Sequence, residues 1–347
     1  MKQLPGPDHI AYAMRNMEAT QSLVYFNSAD KLLDWSFLAI QGIIFAGVIL
    51  ALVHAIRYKK TTGSSSALLT LLGCFTYGLT MDILSYYTVE NFWHGEFSVM
   101  FLYNKLPLYI ACFYPAFMYH AIMTIKRYQF TPLIEAICTG FFAGFMYLIF
   151  DNLGPMVGWW IWDTSDPTTW PYVDNVPLTS YHWFFTFTIA FCLIDRIISW
   201  EWLAKSVSKG KMIAAHALQP VGTILLGSLF FIPYNLFAKS APPYDMLPWA
   251  ANLHMAALVH VITFSVAGWI FLTQWRRPAI ERDTLLMAFP FLYLVGHAYM
   301  YIAKIDLFFT LDPEKMTNGF SMGNLPAVIL ALVGCSTIVL LSHPRKD

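Results

Sequence analysis

Nine apolar stretches separated by short polar ones set the pattern of this chain. They fall near residues 33–56, 66–87, 105–125, 132–150, 178–198, 212–237, 250–274, 284–303 and 324–342. Each is close to the roughly 20 residues a helix needs to cross a hydrocarbon core about 30 Å thick. The pattern predicts an all-α, polytopic integral membrane protein with about nine transmembrane helices. A polar segment, 1–32, precedes a single transmembrane domain, 33–342, and a short tail, 343–347, follows it. The first segment has no basic start leading into an apolar run, so it does not read as a cleavable signal peptide. No internal repeat is legible. Pro220, Pro233, Pro290 and Gly296 fall inside the sixth and eighth stretches, where they could break the helices.

Composition supports that class. Hydrophobic residues make up 57% and charged residues 12% of the 347, with a mean hydropathy of +0.53; a soluble domain carries about twice that charge. The 21 basic and 21 acidic residues cancel, so no global charge points to nucleic acid. Position matters more than total. Arg57, Lys59, Lys60, Lys126, Arg127, Arg196, Lys205, Lys209, Lys211, Arg276, Arg277, Arg282, Arg345 and Lys346, fourteen of the 21, fall on one alternating set of loops. The positive-inside rule therefore puts the N-terminus outside and the C-terminus in the cytoplasm of a multi-pass protein of the cell membrane, in a bacterium the inner one. The outer connections are longer and rich in Trp and Pro, and Trp159, Trp160, Trp162 and Trp170 suit an aromatic belt or a re-entrant segment. Cys74, Cys112, Cys138, Cys192 and Cys335 sit within apolar stretches and read as small buried hydrophobes.

Ionisable residues inside such stretches are costly and mark candidate chemistry. Asp82, Tyr86, Glu90 and His94 are spaced four apart, so a helix continuing through them would carry all four on one face. The alternative is a helix that ends near Tyr87, with 90–96 as a wet loop. Asp151, His182, His254 and His297 lie near the same outer level on other helices, as does Tyr109. Glu135, Asp195 and His216 lie toward the basic loops and read as interfacial partners of Lys and Arg. His260, near the middle of the seventh stretch, reads as a core histidine. Paired His boxes of the kind that bind two irons are absent, so the sequence calls for no metal and no cofactor.

Two blocks carry a resemblance. The first runs Glu90-Asn91-Phe92-Trp93-His94-Gly95-Glu96-Phe97 and then Leu106-Pro107-Leu108-Tyr109-Ile110. The second runs Asp151, Gly158-Trp159-Trp160-Ile161-Trp162 and Val176-Pro177-Leu178-Thr179-Ser180-Tyr181-His182-Trp183-Phe184. Over about residues 75–190 the chain resembles the bacterioruberin-type carotenoid-biosynthesis hydratases of membranes; Ser180 stands where that family has Asn. The resemblance implies acid-catalysed hydration, or the closely related double-bond isomerisation, of a long apolar isoprenoid lipid. Such chemistry needs an acid to protonate the alkene, aromatic faces to hold the cation, and water to attack it. A carboxyl in an apolar setting keeps the proton it must donate. Asp82, Glu90 or Asp151 is the candidate acid and His182 the partner of water. Tyr86, His94, Tyr109, Trp159, Trp160, Trp183, His254 and His297 are the candidate substrate-binding residues. The implied partners are membrane lipids or the isoprenoid substrate, with a second copy or a membrane-complex subunit beside them. A transporter, or an accessory subunit holding lipid or pigment, is the competing class.

Overall fold

The computed structural model describes residues 22–89, 91–103, 105–162, 169, 172–203, 208–238, 252–276, 282–309, 316–317, 320–321 and 323–343. Among these, nine helices are long and apolar enough to cross a membrane. They are α1 (Ser36–Thr62), α2 (Ser66–Leu84), α3 (Leu108–Lys126), α4 (Pro132–Val157), α5 (Leu178–Asp195), α6 (Lys209–Ala238), α7 (Leu253–Gln274), α8 (Thr284–Ala303) and α9 (Leu325–Ser342). Two of them extend through π-helical turns, α2 through Ser85–Val89 and α5 through Arg196–Trp202. The helices match the nine expected stretches within three residues, except that α1 and α4 run six and seven residues past their expected ends, to Thr62 and Val157. Pro220 and Pro233 lie within α6 and Pro290 within α8, and both helices run on through them.

The bundle is built around α3. Its apolar window is 89% buried, against 17% for the peripheral α7. Helices α1, α2, α4 and α8 pack around α3, α5 joins α4 to α6, and α9 closes against α4 and α8. The outward faces of α6 to α9 carry exposed Leu225, Leu229, Trp269, Leu272, Phe291, Ile302 and Leu330, as surfaces facing acyl chains do.

Short strands cap one end. They are β1 (Val24–Phe26), β2 (Phe92–His94), β3 (Val99–Phe101), β4 (Leu106–Pro107), β5 (Trp160–Trp162), β6 (Tyr172–Val173) and β7 (Val176–Pro177), with a separate pair β8 (Met316–Thr317) and β9 (Phe320–Ser321). β1, β3 and β4 form one antiparallel sheet, while β2 pairs with β5 and β6 with β7. The helix expected to continue from Asp82 to His94 does not. It gives way after the π turn, and the chain returns as β2, because Phe92, Trp93 and His94 pair with a second aromatic strand.

This arrangement exposes a repeat that the sequence hides. α2, β2, the β3–β4 hairpin and α3 recur in the same order as α4, β5, the β6–β7 hairpin and α5. Each second hairpin ends on a proline, Pro107 or Pro177, that stands at the N-cap of the next helix. The interval from Asp82 to Pro107 differs by one residue from that between Asp151 and Pro177. The matching strands pair antiparallel, Phe92 opposite Trp162 and His94 opposite Trp160. Reciprocal pairing of equivalent residues is what a local two-fold produces.

Candidate functional site

Both repeats end their first helix at a cavity of about 240 Å³ beneath β2 and β5. Asp82 comes from α2 and Asp151 from α4, and both line it. Phe92, Trp160 and Trp162 wall it from the strands, Phe113 from α3 and Trp183 from α5. The wall is thus mainly aromatic. His94 is the nearest approach to a base in it, and no Lys or Arg lines it among the described residues.

Local chemistry explains why the chain turns here. Gly158 ends α4 with φ 81°, a left-handed cap that a side chain would strain, and its N–H bonds to Gly154 O. The next carbonyl, on Trp159, accepts from Gly95 N at 2.9 Å and from His94 Nδ1 at 3.2 Å. That bond requires the proton on Nδ1 and leaves Nε2 of a neutral ring as an acceptor. Burial lowers the His94 pKa from 6.5 to about 3, with the Trp159 carbonyl opposing the shift. Trp159 itself is fully buried and donates from Nε1 to Ser36 Oγ at 3.1 Å, tying the strand cap to α1. Trp160 is buried as well, so these tryptophans pack inward; they form no interfacial belt.

The two carboxyl groups differ in their surroundings. Ser180 Oγ donates to Asp151 Oδ2 at 2.8 Å, and Tyr147 OH lies 3.1 Å from the same hydroxyl. Tyr147 is in turn stacked on Phe184, ring centres 4.0 Å apart and planes 3° from parallel. Asp151 Oδ1 and Asp82 Oδ2 have no hydrogen-bond partner among the described residues. Both acids are buried. Neither forms an ion pair among the described residues, so neither reads as half of a structural salt bridge.

The expected residues divide into three groups. Asp82, Asp151, His94, Trp160 and Trp183 line the cavity. Tyr86 and Tyr109 lie outside its lining but support it: both are buried, and their rings sit 5.7 and 6.3 Å from that of His94. The remainder fall elsewhere. His182 does not reach the cavity as the partner of water, because its Nδ1 meets Nδ1 of His260 at 3.2 Å and its ring stacks on Tyr234. His260 is therefore one half of a histidine pair. His297 donates back to Tyr293 O in its own helix at 2.8 Å, and its ring meets that of Trp159 with centres 6.4 Å apart; neither His297 nor Trp159, also expected to bind substrate, lines the cavity. His254 is exposed near the start of α7. Glu90 and Trp170 lie outside the described residues.

Glu135 does pair with basic residues, Lys126 at 2.6 Å and Arg196 at 3.7 Å. Asp195 instead accepts from Thr70, Ser199 and Gln219, and His216 bonds to the Met212 and Leu69 carbonyls. Tyr147 escaped the sequence reading, although its place four residues before Asp151 puts it one turn away on the same helix face. Among the described residues no group of three His, Cys, Asp or Glu side chains converges as metal ligands would.

A model for a domain of unknown function, DUF7802, matches residues 20–213. The chain belongs to the DUF7802 family. The match spans α1 to α5 and the start of α6, so it contains both repeats and every residue that lines the cavity. No curated protein and no solved structure matches the chain. In family terms, the cavity belongs to the shared domain, and α7 to α9 lie beyond it.

Proposed function

We propose that this DUF7802 protein is a multi-pass membrane enzyme that protonates an isolated double bond in a long apolar isoprenoid-like lipid. One observation carries the reading. Two buried carboxyl groups line one aromatic cavity, and among the described residues each has an oxygen without a partner and no Lys or Arg lines that cavity.

The chemistry follows from those parts. A carboxylic acid gives its proton to the less substituted alkene carbon and is left as a carboxylate. The resulting tertiary cation is held by the faces of Trp160, Trp162, Trp183 and Phe92. Water attack with loss of a proton to a carboxylate completes a hydration. Removal of a neighbouring C–H proton by a carboxylate completes a double-bond migration. A second carboxyl on the other repeat suits either route, since one group donates while another accepts. Asp151, bridged through Ser180 to Tyr147, has hydroxyls beside it that suit the positioning of water. The likeness of residues 75–190 to membrane carotenoid hydratases supports the same chemistry.

Orientation forms part of the proposal. The acid cavity faces the non-cytoplasmic side, because fourteen of the 21 basic residues fall, in sequence, on the alternating loops opposite to it. An impermeant thiol reagent added to intact cells should label a cysteine placed at Ser165 and spare one at Ser65; the reverse would move the site to the inner face.

The activity test compares lipid extracts by mass spectrometry from cells expressing the wild type, Asp82→Asn or Asp151→Asn. Turnover appears as a neutral lipid that has gained the mass of water, or as an isomer of unchanged mass with altered retention. Loss of the donor should lower product by about 10²–10⁴-fold in protein of normal abundance. A lipid profile unchanged by the wild-type protein would sink the enzymatic reading and favour a transporter or a lipid-holding subunit.

A further inference from the structure

Asp195, the last residue of α5, is buried but does not line the acid cavity. Three segments hold polar side chains against it. α2 brings Thr70, α6 brings Gln219, and the π turn that follows Asp195 brings Ser199. Thr70 Oγ1 donates to Asp195 Oδ2 at 2.7 Å, Ser199 Oγ to Oδ1 at 2.6 Å, and Gln219 Nε2 to Oδ1 at 3.2 Å. Trp200 Nε1 donates in turn to Thr70 Oγ1 at 3.0 Å. Thr70 lies about three turns from Asp82 along α2, so this cluster is separate from the acid cavity.

Those donors are all neutral. They satisfy lone pairs of a carboxylate without balancing its charge, and Asp195 forms no ion pair among the described residues. A buried charge left without a counter-charge is costly. Further oxygens stand on the same face of α6. Gln219 and Thr223, one turn apart, are fully buried, and Gln219 Oε1 and Thr223 Oγ1 have no partner among the described residues. Pro220, inside α6, has no N–H to give to the His216 carbonyl one turn back. Both helices thus depart from regular geometry beside the acid, α6 at a proline and α5 at a π turn. In membrane proteins, carbonyls freed by such breaks hold small cations.

We propose that Asp195 and Gln219 hold a sodium ion between α2, α5 and α6. The carboxylate supplies the counter-charge. Turning the Gln219 amide over replaces Nε2 with Oε1 beside Asp195 Oδ1, and two acceptors at that separation share a cation between them. Oxygen donors of this kind suit a hard ion, not zinc or copper. One carboxylate cancels one positive charge, so a monovalent ion leaves the site neutral where a divalent one would not. Space favours a small ion: a Cβ at Gly73 would fall 2.5 Å from Gln219 Oε1, so the amide lies tight against α2. Thr70 and Ser199 hold the carboxylate in position. The site is independent of the acid cavity and does not rest on the proposed reaction.

The test uses the full chain, purified in neutral detergent and choline chloride without sodium. Sodium, potassium and choline chlorides are compared at one pH and one ionic strength, by the midpoint of thermal unfolding and by retention of radioactive sodium. An ion that binds the folded chain raises the midpoint by mass action, so sodium should raise it saturably and choline should not. Asp195→Asn keeps the shape of the side chain and should abolish both the shift and the retention. Gln219→Leu should weaken sodium binding by at least about tenfold, and it carries the test if Asp195→Asn fails to fold. Asp151→Asn, in the acid cavity, should keep the sodium shift. Equal midpoints in the three salts, with no sodium retained, would overturn the proposal, as would potassium acting as strongly as sodium. So would well-folded Asp195→Asn and Gln219→Leu proteins that bind sodium as the wild type does, or loss of binding in Asp151→Asn alone.

Discussion

Asp82 and Asp151 occupy corresponding positions of two structural repeats and line the same cavity. Their equivalence is broken by one neighbour. Asp151 receives a hydrogen bond from Ser180, while the first repeat has Ile110 at the matching place, which has no proton to give. Duplication followed by such divergence yields two acids with unlike surroundings, the condition under which one can donate a proton while the other accepts.

Ser180→Ala should expose the value of that bond. The change leaves Asp151 Oδ2 without its donor and removes the neighbour of Tyr147 OH. A buried polar group stripped of its partner costs about 1–3 kcal/mol. Ser180→Asn, which restores a donor, should recover part of the loss. Thermal unfolding of the three proteins in one detergent checks the order; an alanine variant as stable as the wild type would show that the bond is not formed.

The cavity wall makes a second prediction. A Cβ at Gly154 would overlap the six-membered ring of Trp160, and a fused indole ring has no flexible end to move aside. Gly154→Ala should therefore destabilise the protein by about 1–3 kcal/mol and displace a residue that lines the cavity. Adding Trp160→Phe shortens the ring and should return much of the stability. If the double variant is no better than Gly154→Ala alone, the clash lies elsewhere.

How far the sequence goes can be judged from the same residues. The nine helices were legible, because apolar length alone identifies a spanning helix. Asp82 and Asp151 were legible as costly acids, and they do converge. The stripe from Asp82 to His94 was misread because fourfold spacing says nothing about where a helix ends. His94 reaches Tyr86 through a π turn and strand pairing, which no local pattern reports. His182 and His297 lie toward the cavity's end of their helices, but depth along a helix does not fix azimuth, and both point into other contacts. The repeat stayed hidden because little of it survives in the sequence beyond two acids, two prolines and two aromatic strands.

His94 should make the strand cap sensitive to acid. Its pKa is lowered by burial from 6.5 to about 3 in the folded protein. Between these values the unfolded chain binds a proton that the folded one does not, so stability rises with pH across that window. Acidification from 6.5 toward 3 should thus erode the contribution of this residue progressively. His94→Gln removes the titration while keeping a donor for the Trp159 carbonyl. Its unfolding midpoint should vary less with pH over that range than that of the wild type, and parallel curves would show that the ring is solvated.

The last prediction concerns the segment that leads into α1. Lys304, at the end of α8, is buried and forms an ion pair with Asp34, which precedes α1. The contact joins residues far apart in the chain and holds the start of α1 against α8. Asp34 Oδ1 also accepts from Ser36 N at 2.7 Å, so the carboxylate serves the helix entry and the ion pair at once. Trp35 lies under the same ammonium group, 5.7 Å from ring centre to Nζ. Removing one member of a buried pair leaves the other charged without compensation, at about 3–5 kcal/mol. Lys304→Met should show a loss of that order, and Asp34→Asn a smaller one, since the amide oxygen still accepts from Ser36 N. The double variant should lose less than the sum of the two, because each single change already forfeits the shared interaction. Unfolding of the four proteins in one detergent gives the coupling directly. Strictly additive losses would mean that Lys304 is held by something other than Asp34.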